Sequence, residues 1–330
     1  MTSSRSAGIK DVAREAGVSV TTVSFVINHK NGISEPTKVR VRDAIRKLNY
    51  VPNKLAQRFV AGRSSTILFL VPPFPHIFRD PYFGDSLDGV TETASDRGYM
   101  VTVLSAGEAV RKEKSYLRLF ESRQIDGMVT SGTVLDDEEM REMVRGKNPV
   151  VSVNAVYEGV DAVASDDRRV GYDATKYLAD LGHRRIAHIA GPPTEHAARA
   201  RIAGYLAARG ELGLDARDDL VVRDDYRADA GVAAVARLLK LRPAPTAVFC
   251  YNDTTAFGAV ASARKLGLGV PREISVVGVD DNPIALLASP TITTFRQSPY
   301  HLSRLAAERL MDRIEGKSKK SGEPVILPMK

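Results

Sequence analysis

Apolar residues recur along the first 50 positions in a helical rhythm. Ile9, Val12, Ala13 and Ala16 fall at i, i+3, i+4 and i+7, and Val23, Val26 and Ile27 repeat the spacing one segment later. Neither stripe is large enough to fold alone, so the two helices must bury against each other. Between them Gly17-Val18-Ser19 breaks the pattern. Gly17 suits the left-handed residue that ends a helix, and Ser19 can cap the first amides of the next. A third stripe of Val41, Ala44, Ile45 and Leu48, starting from a Ser34 cap, closes a small core. The second helix keeps Thr21, Ser24 and Asn28 on its polar outward face, which is the arrangement of a helix-turn-helix that reads a major groove.

Beyond residue 63 short aliphatic runs alternate with helical spacing. The runs predict strands at Ile67 to Val71, Met100 to Leu104, Gly127 to Thr130, Val150 to Val153, Arg185 to Ala190, Thr246 to Cys250 and Ile274 to Val279. Phe83, Leu87, Val90 and Ala94, and then Val170, Ala174, Tyr177 and Leu178, mark helices between them. Strand-then-helix repetition predicts an α/β body of doubly wound parallel sheets covered on both faces. A body of this length is large for one sheet, so two similar lobes are expected. Ligands of such sheets bind beyond the carboxyl ends of the strands. Those ends carry Ser131, Asn154, Asn252 with Asp253, and Asp280 with Asp281. Each residue singly is an ordinary turn or cap residue; their accumulation at one end of both sheets is what points to a site.

Charge sharpens the division. Residues 1 to 63 hold 12 Lys and Arg against 4 Asp and Glu, whereas the rest of the chain holds 35 against 36. A basic head on a neutral body is an electrostatic footprint for phosphate. A membrane surface is the competing use of such a patch, and the segment lacks an apolar face to insert. Cys250 is the single cysteine, which leaves no intrachain disulfide and no multi-cysteine metal site. No run at the N-terminus has signal-peptide length and no stretch approaches 18 apolar residues, so a cytoplasmic protein is expected rather than an exported solute-binding protein. An enzyme of the doubly wound class would need a phosphate loop, a dinucleotide fingerprint or a nucleophile elbow, and the chain contains none. His183, His188 and His196 make no recognised metal spacing. The chain is therefore expected to have no catalytic residue, metal or cofactor.

Several motifs together carry a resemblance. They are Ile9-Lys10-Asp11-Val12-Ala13-Arg14-Glu15-Ala16-Gly17-Val18-Ser19, Asn49-Tyr50-Val51-Pro52-Asn53, Leu181-Gly182-His183-Arg184-Arg185-Ile186-Ala187, Asn252-Asp253, Ile274-Ser275-Val276-Val277-Gly278 leading to Asp280-Asp281, and Thr293-Thr294-Phe295-Arg296-Gln297. Along almost its whole length the chain resembles bacterial transcription repressors of the lactose/galactose-repressor (LacI/GalR) family. The resemblance implies a helix-turn-helix headpiece over residues 1–51, a hinge helix and linker over 52–63, and an effector-binding core over 64–330. That core resembles periplasmic binding proteins of type I, with one lobe at about 64–164 and 293–322 and the other at about 165–292 and 323–330. It also implies a homodimer on near-palindromic double-stranded operator DNA, controlled by a small effector that is sugar-like or a nucleobase.

Carried over by position, the DNA contacts fall on Val20, Thr21, Thr22, Ser24, Phe25 and Asn28, with Asn53, Lys54, Ala56 and Phe59 in the hinge. Phe25 stands where many members have Arg, and Phe cannot make the bidentate contact to guanine that supplies about 1–3 kcal/mol of base discrimination. Two places are open to it, a thymine methyl or the three-helix core. Residues 53–60 can form only two helical turns, well short of the roughly 12–15 residues an isolated helix needs. Phe59 takes the place of a leucine that wedges between central base pairs, a role open to apolar side chains generally; the alternative is a linker residue packed on the body. The effector residues implied are Tyr82, Phe83, Ser131, Asp166, Arg201, Tyr226, Asn252, Asp280 and Gln297. Carboxylates and amides would meet hydroxyls or ring nitrogens, Arg201 would anchor an oxygen, and the aromatic pair would cover an apolar face.

Overall fold

The computed structural model describes residues 7–27, 30–50, 63–223, 225, 227–318 and 322–330. The chain divides into two compact units, Met1–Ser64 and Ser65–Lys330.

In the first unit three helices, α1 (Ile9–Ala16), α2 (Val20–Ile27) and α3 (Glu35–Lys47), enclose Val12, Val23 and Val41, all fully buried. The stripes meet as their spacing requires. Gly17 has φ 65°, and the amides of Gly17 and Val18 donate to the carbonyls of Arg14 and Ala13, which closes α1 with a left-handed turn. Ser19 Oγ accepts from the Thr22 amide at 3.0 Å and caps α2. Ser34 does occupy the position before α3, but its hydroxyl pairs with Thr37 Oγ1 at 3.0 Å rather than with a backbone amide.

The second unit holds two sheets in which every pairing is parallel. The first contains β1 (Thr66–Val71), β2 (Met100–Ser105), β3 (Gly127–Ser131), β4 (Val150–Val153), β5 (Asp161–Ser165) and β11 (Pro324–Leu327), in the order β11-β5-β4-β3-β1-β2. The second contains β6 (Ile186–Ala190), β7 (Val221–Arg223), β8 (Ala247–Cys250), β9 (Ser275–Asp280) and β10 (Thr293–Arg296), in the order β10-β9-β8-β6-β7. Four strands escape the hydrophobic pattern: β5 is mostly alanine and serine, β7 has three residues, and β10 and β11 are short edge strands. The lobes differ from the expected division at two places. β10 belongs to the second sheet, not to the first lobe with 293–322, and β11 pairs with β5 in the first sheet, not in the second lobe with 323–330. Only the last residues return: Met329 packs on the second lobe, and the Arg296 and Lys330 backbones bond each other. The chain thus passes between the lobes after β5, after β10 and after β11.

Close helix pairs cover the sheets. The helix Asp167–Asp180 meets His196–Glu211 where a Cβ on Gly171 would lie 2.1 Å from the Arg201 carbonyl, and one on Gly204 would lie 2.0 Å from the Arg168 carbonyl. Only glycine permits that approach, and the approach is what sets Arg201 against Asp167. Tyr177, expected on the apolar stripe of Asp167–Asp180, is instead 42% exposed.

Candidate functional site

A cleft between the two lobes gathers residues from both. Its lining includes Pro72, Phe74, Asp80, Tyr82, Phe83, Gly132 and Asn154 from the first lobe. Glu195, Ala197, Arg201, Tyr251, Asn252 and Asp280 come from the second, and Gln297 from the crossing after β10. The parallel topology explains the location, because the carboxyl ends of β4, β8 and β9 all open here.

Local structure positions each group. Asp80 caps the helix Pro81–Asp96 through the Tyr82 amide at 3.0 Å, with Pro81 fixing the first turn. That turn aims Tyr82 and Phe83 at the cleft, their rings 4.9 Å apart and edge to face, with Phe74 6.5 Å from Phe83. Asn154 and Asp280 end their strands at φ 54° and 123°, and Asp281 follows at 58°. Asn and Asp tolerate the left-handed values at 154 and 281, but φ 123° at Asp280 lies outside them, and strain of that kind collects at binding sites. Asn154 Nδ2 donates to Tyr82 Oη at 3.0 Å and to Gln297 Oε1 at 3.1 Å, while its Oδ1 accepts from the Ser165 amide at 2.8 Å. Gln297 Nε2 donates to Asp280. A continuous amide network therefore joins the lobes at the back of the cleft.

Arg201 is 2% exposed. Its Nε and Nη2 each lie 2.8 Å from Asp167 Oδ1, its Nη1 donates to the Tyr251 carbonyl, and its guanidinium carbon lies 4.8 Å from the Tyr251 ring centre. Burial pushes the Asp167 carboxyl up and the Arg201 charge pulls it back down. Asp280 is raised well above the ordinary carboxylate range by burial, against the pull of Arg201, with Asp253 and then Asp80 repelling it. Burial also raises Asp80 and Glu195. At the mouth Glu195 Oε2 accepts from the Thr133 amide at 3.3 Å, and the His196 amide donates to Thr133 Oγ1 at 2.9 Å. The His196 ring sits 4.7 Å from that of Tyr157. These contacts form a clasp between the lobes.

Of the residues expected from sequence, Tyr82, Phe83, Arg201, Asn252, Asp280 and Gln297 converge on this cleft. Ser131 does not line it and is fully buried at the end of β3. Asp166 does not line it either; its Oδ1 caps the next helix through the Arg169 amide at 3.0 Å, and the neighbouring Asp167 is the one that engages Arg201. Tyr226 lies outside the described residues. Asp80, Glu195 and Tyr251 also line the cleft and were not among the residues expected from sequence. Asp80 and Glu195 each stand just before a helix, where a carboxylate reads as a cap, so their second role left no separate signal.

On the first unit, Val20 and Thr21 are exposed at the start of α2, while Thr22 and Ser24 are half-buried. Phe25 is half-buried and lies outside the cluster formed by Val12, Val23 and Val41, with Lys30 Nζ 5.2 Å above its ring. Asn28, Asn53, Lys54, Ala56 and Phe59 lie outside the described residues. Among the described residues no helix is long and apolar enough to cross a membrane, and no group of three His, Cys, Asp or Glu residues is placed to hold a metal ion.

Residues 64–330 match periplasmic binding proteins and the sugar binding domain of the LacI family, and residues 8–53 match bacterial regulatory proteins of the lacI family. The chain is 33% identical over 322 residues to the HTH-type transcriptional repressor CytR of Escherichia coli (strain K12), covering 97% of this chain and 93% of the relative. It is 35% identical over 315 residues to the repressor PurR of Vibrio campbellii, covering 94% and 93%. Among solved structures, the lac repressor dimer bound to operator and the anti-inducer ONPF aligns with a TM-score of 0.87 at 25% identity, over 99% of this chain and 97% of that one. The regulator CelR in complex with cellobiose aligns at 0.75 and 30% identity, over 98% of both chains.

Proposed function

Because the chain belongs to the LacI family of bacterial regulatory proteins, we propose that it is a cytoplasmic transcriptional repressor that binds near-palindromic DNA as a homodimer. Its grip on DNA is set by a small molecule held in the cleft between its lobes. The observation that carries the reading is the pairing of two parts in one chain. A capped helix-turn-helix sits in the basic segment, and a two-lobed body gathers polar and aromatic side chains at its strand ends. Symmetric dimers suit symmetric half-sites, since a single small helix-turn-helix makes few contacts. In this reading the headpiece spans 1–51, the hinge 52–63 and the effector core 64–330, and the cleft binds without catalysing.

Val20, Thr21, Thr22, Ser24 and Phe25 are assigned to the groove. Phe25 lies off the headpiece core, which favours its use against a base edge such as a thymine methyl. The test is selection of binding sites from random duplexes with the full-length protein. A two-fold motif is expected, with affinity falling steeply as salt rises. Phe25→Arg should shift one base pair per half-site toward guanine. An asymmetric single half-site bound equally at low and high salt would overturn the proposal.

A further inference from the structure

Three carboxylates line the cleft, and they come from three separate segments: Asp80 before the helix Pro81–Asp96, Glu195 before His196–Glu211, and Asp280 at the end of β9. The lining has one guanidinium to set against them, that of Arg201. Its Nε and Nη2 are held by Asp167 at 2.8 Å and its Nη1 by the Tyr251 carbonyl, so most of its donors are engaged within the protein. Asp167 also balances its charge within the wall. What faces the cavity is then a set of carboxyls whose charged forms burial disfavours, in a partly dehydrated space where a cation that restores their charge interacts more strongly than in water. Burial raises Asp80, Glu195 and Asp280; Arg201 pulls Asp280 down while Asp253 and then Asp80 repel it, and Arg199 outside the lining pulls Glu195 down.

Gln297 gives a donor to Asp280, but Asn154 directs its own donors to Tyr82 and Gln297. Phe74, Tyr82 and Phe83 line the same cleft beside Asp80, packed edge to face. Aromatic faces attract a cation and offer nothing to an anion. The carboxylates are not gathered as a metal cage, since among the described residues no three acidic or histidine groups are placed to hold a metal. An organic cation is the species that answers the carboxyls and the aromatic rings at once.

Resting on the reading of this cleft as the effector site, we propose that it selects a ring compound bearing a protonated amine, such as an amino sugar, and rejects phosphorylated forms of the same ring, with Asp80 and Glu195 setting the preference. Glu195 has a further part in this. The carboxylate that meets the amine also closes the mouth by accepting the Thr133 amide across the lobes, and that bond is long at 3.3 Å. An amine drawn to Glu195 therefore acts directly on the clasp.

The test uses full-length protein and matched triplets that differ only in charge: glucosamine, glucose and glucose 6-phosphate, and the same three forms of galactose. Thermal shift and calorimetry at pH 7 should rank amine above neutral sugar above phosphate, with the amine at least tenfold tighter than the phosphate. Asp80→Asn and Glu195→Gln preserve shape and remove charge, and each should narrow that ratio severalfold, mostly through weaker amine binding. Phosphate binding more tightly than the amine on the same ring would overturn the charge selectivity while leaving the cleft as the effector site. An unchanged ratio in both variants would overturn the roles given to Asp80 and Glu195. Failure of every member of both triplets to bind would count against the cleft as a sugar-type effector site, and the selectivity would fall with it.

Discussion

Arg201 shows how much, and how little, a motif tells about a side chain. The resemblance names Arg201 for the cleft and the structure has it in the lining, yet its engagement within the wall is not legible, because its partner Asp167 depends on how two helices cross. The same crossing explains why the sequence points to Asp166 when its neighbour does the pairing. Removing one member of a buried pair leaves an uncompensated charge, which costs about 3–5 kcal/mol, whereas replacing both with apolar groups is often neutral. Arg201→Ala should therefore lower stability as well as effector binding, and Arg201→Met with Asp167→Leu should restore most of the stability but none of the binding. Chemical denaturation and calorimetry separate the two effects; a single variant as stable as the parent would contradict the pairing. Asp253 offers a test in pH. It is fully buried at the start of the helix Asp253–Lys265, its carboxylate accepts from the Asn282 amide at 2.8 Å, and burial pushes its pKa up to about 6. An acid raised above its unfolded value of about 3.9 stabilises the fold fully below that value and loses the contribution as pH climbs through the folded value. Asp253→Asn should thus gain on the parent between pH 4 and pH 8, by about 2–3 kcal/mol for a shift of this size. Denaturation midpoints whose difference stays constant over that range would count against it.

Among the elements, long aliphatic strands and amphipathic helices are readable because burial on one or both faces writes itself into the sequence. The membership of β10 and β11 is not. Thr293–Arg296 and Pro324–Leu327 are short edge strands whose sheet is decided by where the chain crosses between lobes, and strands this short carry no mark of that. The close helix pair built on Gly171 and Gly204 is equally silent, since glycine in a helix reads as a defect until the neighbouring backbone is known. Gly204→Ala would drive a Cβ to 2.0 Å from the Arg168 carbonyl. Overpacking of this kind typically costs about 1–3 kcal/mol. Since the pair also holds Arg201 against Asp167, effector affinity should fall together with the melting temperature. A destabilised variant with normal effector affinity would show that the crossing does not position the cleft.

At the scale of the whole molecule, the division of labour is written in the charge along the chain: the basic head carries the excess, and the body is close to neutral. The body's strand ends are also legible as a place where polar residues accumulate. Their chemistry is not, because Asp80 and Glu195 look like caps and the three carboxyls come together only when three segments meet. The central claim is that occupancy of the cleft changes how the headpiece holds DNA. A ligand can shift that equilibrium only by its different affinity for the two states of the protein. The direct measurement is the affinity of the full-length protein for its selected two-fold site and for random duplex, at one salt concentration, with and without a saturating ligand of the body. The specific affinity should change at least tenfold and the random-duplex affinity should stay within about twofold, the phosphate contacts being common to both. Identical specific affinity with the cleft empty and filled would contradict it.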